Sequence, residues 1–296
     1  MKNYLVAIGV LLIPLCTSAP AFSQTDSAAV EDLSLSAAAR PPMLGLHWAR
    51  GFEPNFRAKQ AGGGNGRPKR PPSTSPNMTN HGGKIMTTAV TASIFWGTSW
   101  SSYSGDEMTG IDSWYTGFSN SNYAKTSDEY SGSNGQVGQS TSYQGRIVDT
   151  TPASGGNDTL AILTEVCKAI VPDASGNGYY AVYTDLPRNG AGYCAWHSSG
   201  SCGGTPVQFA FFWKLDGDAG CDPMDSSGLH SQGLAALANV SGHELSEART
   251  DPASPGAWYD PNGQENGDKC AWTFGAPLVT FSNGSQWKIQ GEWSNA

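Results

Sequence analysis

An α/β or α+β fold, with a single mixed sheet flanked by helices, is what this sequence predicts. Two segments repeat apolar residues every three to four positions, as amphipathic helices do, and several others alternate or run apolar, as strands do. The two kinds are interleaved along the chain rather than grouped. Charged residues make up only 14% of the 296, against 37 Gly and 10 Trp, a balance that suits a strand-and-loop-rich extracellular protein better than a helical bundle.

The elements follow in chain order. Residues 1–23 read as a secretory signal: Lys2 is a positive start, residues 5–15 are apolar but too short to span a bilayer, and Ala19, Ala21 and Ser23 are small residues near a cleavage point. Leu15 before Cys16 is not the small residue expected in a lipoprotein signal, so a soluble product is expected. No later run approaches a membrane span. Secretion, to the extracellular space or periplasm, follows.

Residues 24–80 differ in charge from the rest. Seven basic and four acidic residues give +3, whereas residues 81–296 hold nine basic and 21 acidic, giving −12. Runs such as Gly62-Gly63-Gly64 and Arg67-Pro68-Lys69-Arg70-Pro71-Pro72 cannot bury enough apolar surface to order themselves. This segment is expected to be a disordered basic linker or a propeptide-like tail, and the folded domain to span residues 81–296.

Within that domain, Val90, Ala92, Ile94 and Trp96 alternate, which predicts a strand. One short helix is expected within residues 104–123 and a strand at 142–150. Residues 158–171 predict a helix, with Asp158 as cap and Pro172 as stop. Residues 179–184 predict a strand, and the apolar run 207–215 a buried central one. A second clear helix is expected at 232–249, before Asp251-Pro252, and a closing hairpin at 278–293 turning at Asn283-Gly284.

Five cysteines follow the signal, and export makes disulfides plausible. The expected pairs are Cys194–Cys202, closing a Gly/Ser loop that carries His197, and Cys221–Cys270, with Cys167 a buried free thiol. The net charge of −8 argues against nucleic acid as a partner.

The chemistry concentrates in His243-Glu244-Leu245-Ser246-Glu247. Residues four apart on a helix stand one above the other, so His243 and Glu247 can grip one divalent metal. Glu244, about 100° round the helix, is placed to act as general base. Downstream, Asp260, Glu265 and Asp268 sit on a Gly-rich loop; one can complete a zinc shell, with Asp268 or Glu265 preferred to His197. The same loop can instead hold Ca²⁺. Asp251 and Tyr259 are further candidates. His81 opens the domain and can face the same end of the sheet, whereas His47 and His230 have no supporting context. No G-x-S-x-G elbow, P-loop or dinucleotide fingerprint is present.

Several blocks carry a resemblance: Asn80-His81-Gly82-Gly83-Lys84, Gly178-Tyr179-Tyr180-Ala181-Val182-Tyr183-Thr184, Cys194-Ala195-Trp196-His197, Gly242-His243-Glu244-Leu245-Ser246-Glu247 through Asp251-Pro252, and Glu265-Asn266-Gly267-Asp268-Lys269-Cys270. In this order the chain resembles the phosphate-induced protein 1 or EXORDIUM-like family from about residue 80 to 271. The resemblance implies a secreted protein associated in plants with cell-wall growth. Some plant members lack the His-Glu pair that this chain keeps, and Asn often stands at the position of Asp251.

These observations lead to a secreted zinc-dependent hydrolase, metallopeptidase-like, acting on an extracellular peptide or cell-wall substrate. Two other expectations stand beside it. One is a non-catalytic module of that family that binds cell-wall carbohydrate or protein. The other is a calcium-stabilised binding domain.

Overall fold

The computed structural model describes residues 40–53 and 76–296. The strands are β1 (Gly45–Trp48), β2 (Thr79–Asn80), β3 (Ala89–Trp96), β4 (Ser131–Gly132), β5 (Gly135–Gln136), β6 (Thr141–Asp149), β7 (Gly178–Pro187), β8 (Tyr193–Cys202), β9 (Thr205–Lys214), β10 (Trp258–Tyr259), β11 (Val279–Thr280) and β12 (Gln286–Trp287). The helices are α1 (Glu107–Phe118), α2 (Asn122–Lys125), α3 (Thr159–Ala169), α4 (Gln232–Thr250) and α5 (Asn266–Lys269). The signal expected at residues 1–23 lies outside the described residues.

One six-stranded mixed sheet has the order β1-β8-β9-β7-β3-β6, so the class is α/β. Strand β3 runs parallel to β6 and β7, and β7 parallel to β9; β8 is antiparallel to β9 and β1. The chain steps outward from β3 through α1 to β6, then back across β3 through α3 to β7. Right-handed crossovers taken in opposite directions place their helices on opposite faces. Tyr115 of α1 meets Tyr183 on the α4 face, oxygen to oxygen at 3.0 Å, and Tyr183 in turn meets Ser241 of α4 at 2.7 Å. On the other face, a Cβ added at Gly200 would lie 2.6 Å from Leu163 of α3.

Strand β9, expected as a central buried strand, is buried from Val207 to Trp213. Helix α3 starts where Asp158 accepts the Ala161 N–H at 3.3 Å. The closing hairpin is present as antiparallel β11 and β12, with Gly284 at φ 83° in the turn. No helix among the described residues is long and apolar enough to cross a membrane.

Three expectations are corrected. Part of the segment expected to be a disordered tail is built into the domain: β1 pairs with β8, and Ala49 is fully buried. Only four residues make this strand, and of its two buried positions, Gly45 and His47, only one carries a side chain, too short a pattern to rise above its Pro- and Gly-rich surroundings. The rest of that segment, apart from residues 76–80, lies outside the described residues.

Second, His197 lies on a strand rather than a loop, because Tyr193–Cys202 is continuous β8. Third, that strand overturns the cysteine pairing. Two cysteines eight residues apart on a strand are separated by roughly 26 Å, whereas a disulfide needs Cα atoms about 4.4–6.8 Å apart. The pairs are Cys167–Cys202, tying α3 to the end of β8, and Cys194–Cys221, tying the start of β8 to the loop after β9. Their Cα separations are 5.2 and 5.8 Å. Cys270, not Cys167, is the free thiol.

Candidate metal centre

Helix α4 positions the centre. Ser231 caps it by accepting the Leu234 N–H at 3.1 Å, and Asp251-Pro252 ends it. Every residue from Gly233 to Thr250 is buried, so the helix lies inside the domain rather than presenting one apolar stripe. Its Gly, Ala and Ser positions let neighbours approach closely. Its few polar side chains therefore have only each other, the sheet and the flanking loops as partners.

His243 and Glu247 stack as their spacing requires, with Nε2 3.0 Å from Oε1. From the sheet side, His197 of β8 brings Nε2 to 3.6 Å from Glu247 Oε2 and 3.4 Å from Glu265 Oε2. Alternation along β8 turns His197 toward α4, while Trp196, one residue earlier, donates to Gly156 O on the other face at 3.0 Å. The loop leading into α5 supplies the rest. Glu265 is its N-cap, Asp268 Oδ2 accepts the Glu265 N–H at 3.2 Å, and the Asp268 N–H donates to Glu247 Oε1 at 2.9 Å. Asp268 Oδ1 lies 3.8 Å from His243 Nε2.

Two triads of potential metal donors therefore share Glu247. One is His197, Glu247 and Glu265; the other is His243, Glu247 and Asp268. They differ in what their atoms already do. His197 Nε2, Glu247 Oε2 and Glu265 Oε2 are all buried without a hydrogen-bond partner; in the second triad His243 Nε2 also lacks one, but Glu247 Oε1 already accepts the Asp268 N–H. Each such group costs about 1–3 kcal/mol if left unpaired, and more when charged, so the two carboxylate oxygens within 3.6 Å of the His197 nitrogen form with it a cradle for a cation.

His243 is placed differently. The Gln290 side chain is oriented by the Trp272 N–H, which donates to Oε1 at 3.3 Å, and by Gly267 O, which accepts from Nε2 at 2.9 Å. Its Nε2 therefore donates to His243 Nδ1 at 3.0 Å, which leaves the proton of a neutral His243 on Nε2. His47 Nε2 then donates to Gln290 Oε1 at 2.9 Å. His243 thus turns an N–H, not a lone pair, toward the cluster.

Electrostatics follow from burial. Burial holds His197 down at about 3 and His243 at about 4, so both rings are neutral at physiological pH. Glu244, Glu247 and Glu265 are pushed well above the carboxylate range, by burial first; the negative charge of Glu247 is the next cause for Glu244 and Glu265. Asp268 is raised to about 8 by burial and then Glu247. A divalent cation would reverse these carboxylate shifts.

Glu244, the expected general base, is fully buried; its Oε1 accepts the His47 N–H at 3.2 Å and its Oε2 has no partner. A cavity of about 280 Å³ opens beside Glu265 and is lined also by Leu44, Asp251, Ala253 and Tyr259. Asp251 and Tyr259 thus reach the centre as cavity walls. Asp260 does not reach it. Its Oδ1 accepts from the N–H groups of Asn262 and Gln264 at 2.8 and 3.0 Å, and its Oδ2 lies 3.3 Å from Lys269 Nζ. Its carboxylate braces the loop, so the three loop acids do not form one oxygen cage. His81 stacks on Tyr259 at 3.6 Å, and His230 on Trp287 at 4.2 Å.

Three participants carried no signal in the sequence. Gly45 lies opposite His197 in the β1–β8 register, and a Cβ there would overlap Glu247 Oε2 and sit 2.6 Å from His197 Nε2. His47 and Gln290 are 197 and 47 residues from the α4 side chains they hold. Comparison with known proteins adds nothing to the geometry: no protein-family model, no curated protein and no solved structure matches this chain.

Proposed function

We propose that this chain is an exported, zinc-dependent hydrolase of metallopeptidase type. The observation that carries the reading is the convergence of three orphaned, buried donor atoms on one point: His197 Nε2, Glu247 Oε2 and Glu265 Oε2. Tetrahedral zinc with bonds of about 2.0–2.1 Å holds neighbouring ligand atoms roughly 3.3–3.4 Å apart, close to the 3.4 and 3.6 Å measured from His197. One imidazole and two carboxylates suit zinc better than calcium, which takes six or more oxygens. The EXORDIUM-like blocks at 194–197, 242–252 and 265–270 all border this cluster, which fits an exported member of that family. Two disulfides are compatible with export.

Each side chain then has a task. His197, Glu247 and Glu265 are the ligands. His243, oriented by Gln290, sets its ring 3.0 Å from Glu247 Oε1, beside the carboxylate that the Asp268 N–H holds. Glu244 has one oxygen tied to the His47 N–H and the other free to take a proton from the attacking water and pass it to the leaving amine. The bound ion would supply Lewis acidity to the scissile carbonyl and to that water. In the net reaction the C–N bond breaks, the water oxygen ends on the acyl carbon, and both water protons are distributed between the products.

The cell-wall-binding module is the weaker reading, because none of the ten Trp side chains is exposed to form a stacking platform. Metal analysis of the full secreted chain tests the hydrolase. About one zinc per chain, kept in Glu244→Gln while peptide hydrolysis is lost, is the expected result; absence of zinc would sink the reading.

A further inference from the structure

The centre is buried, and a cavity borders it at Glu265. His197, His243, Glu244 and Glu247 are fully buried, with β1 lying across them. The cavity's volume of about 280 Å³ is below the usual range for drug-sized ligands, which favours a small group over a long stretch of chain.

The walls say which end. Asp251 and Glu265 both line the cavity, and among the described residues no cationic side chain does. Asp251 is fixed: its Oδ1 accepts the Ala257 N–H at 2.7 Å, its backbone N–H donates to Glu247 O at 2.7 Å, and a Cβ at Gly256 would lie 2.8 Å from its Oδ2. Glu265, only 4% exposed, borders the same cavity with the carboxylate that the proposed ion would share, so an amine seated at Asp251 would lie beside the metal centre. Leu44 and Ala253 add apolar wall, and Tyr259, braced by its stack on His81, adds an aromatic one. An acidic side chain held in place in a small, half-apolar pocket is matched by a protonated primary amine on a small apolar residue. A carboxy terminus would be repelled. The −12 charge of residues 81–296 draws cations in the same direction.

We propose that this cavity seats the free amino terminus of a peptide against Asp251, so that the hydrolase removes residues from the amino end. The inference rests on the metal-centre reading above. Asp251 determines specificity and takes no part in the bond-breaking step.

The test uses the full secreted chain loaded with zinc and pairs of short peptides that differ only in N-acetylation. Free-amine peptides are expected to be cleaved and acetylated ones to resist. Asp251→Asn should raise KM about tenfold or more for the free peptide, with kcat and zinc content little changed. Equal cleavage of both peptides, or an unchanged KM in Asp251→Asn, would overturn the proposal.

Calorimetry of zinc-loaded Glu244→Gln with leucinamide, N-acetyl-leucinamide and glucosamine supplies a readout that needs no turnover. Selective binding of leucinamide supports the proposal. Equal or absent binding of the two leucine probes, or preference for the amino sugar, refutes it. Amine-selective binding by a chain that holds no zinc would keep the pocket and remove the hydrolase.

Discussion

Gly45 and His197 face each other across the β1–β8 pair, and the space where a Gly45 side chain would stand is filled by the His197 ring and the Glu247 carboxylate. A short strand from the amino-terminal segment is thereby part of the centre. It supplies Gly45 as the wall against His197 and the His47 N–H as a partner for Glu244, and Leu44, just before it, is a cavity wall.

Gly45→Ala should displace both side chains, because its β-carbon would overlap Glu247 Oε2. A loss of about 1–3 kcal/mol in stability is expected, together with weaker zinc retention. Urea unfolding and metal analysis after dialysis against a mild chelator check both. A fully stable variant that retains zinc would contradict the packing described.

Zinc removal should lower the melting temperature, and the ligands should change sign with occupancy. Glu265→Gln is expected to destabilise the zinc-loaded chain but to stabilise the metal-free one, where it removes a buried carboxylate with an unpartnered oxygen. Melting curves of both proteins with and without chelator show whether the two effects have opposite signs.

His197 and His243 should separate experimentally. X-ray absorption of the zinc protein is expected to count one imidazole ligand. His197→Ala should lose the metal, whereas His243→Ala should keep it with reduced affinity, on the order of tenfold to a hundredfold. A two-imidazole spectrum would mean that His243 also coordinates.

Glu107 offers a pH test remote from the centre. Burial, then Asp216, raises its carboxyl from 4.5 to about 8. Between those values the folded state holds the proton that the unfolded state has released, so this residue's contribution to stability falls as pH rises through the window. Glu107→Gln should therefore gain on the parent by a few kcal/mol at pH 8 and by little at pH 4.5. Urea midpoints at the two pH values measure the difference.

Peptide mapping under non-reducing conditions should recover Cys167 with Cys202 and Cys194 with Cys221, leaving Cys270 to react with a thiol reagent once the chain is unfolded. With 27 residues separating its cysteines, loss of the Cys194–Cys221 link should cost about 3–4 kcal/mol. A recovered Cys194–Cys202 peptide would contradict the continuous β8.

What the sequence by itself determined is the local periodic part of this molecule. Helices α3 and α4, strands β3, β6, β7 and β9 and the closing hairpin follow from side-chain spacing and from caps such as Asp158, which act within a few residues. The pairing of His243 with Glu247 was legible for the same reason, since one helical turn brings them together.

Tertiary structure decided everything that depends on distant segments. It made β8 a strand, so Cys194 could not reach Cys202. It brought His197 and Glu265 to Glu247, set Asp260 to bracing its own loop, and recruited Gly45, His47 and Gln290 from regions without periodic signal. Burial decided the electrostatics as well: the same carboxylates in solvent would be ordinary acids, and only their enclosure around α4 makes a cation their matching partner.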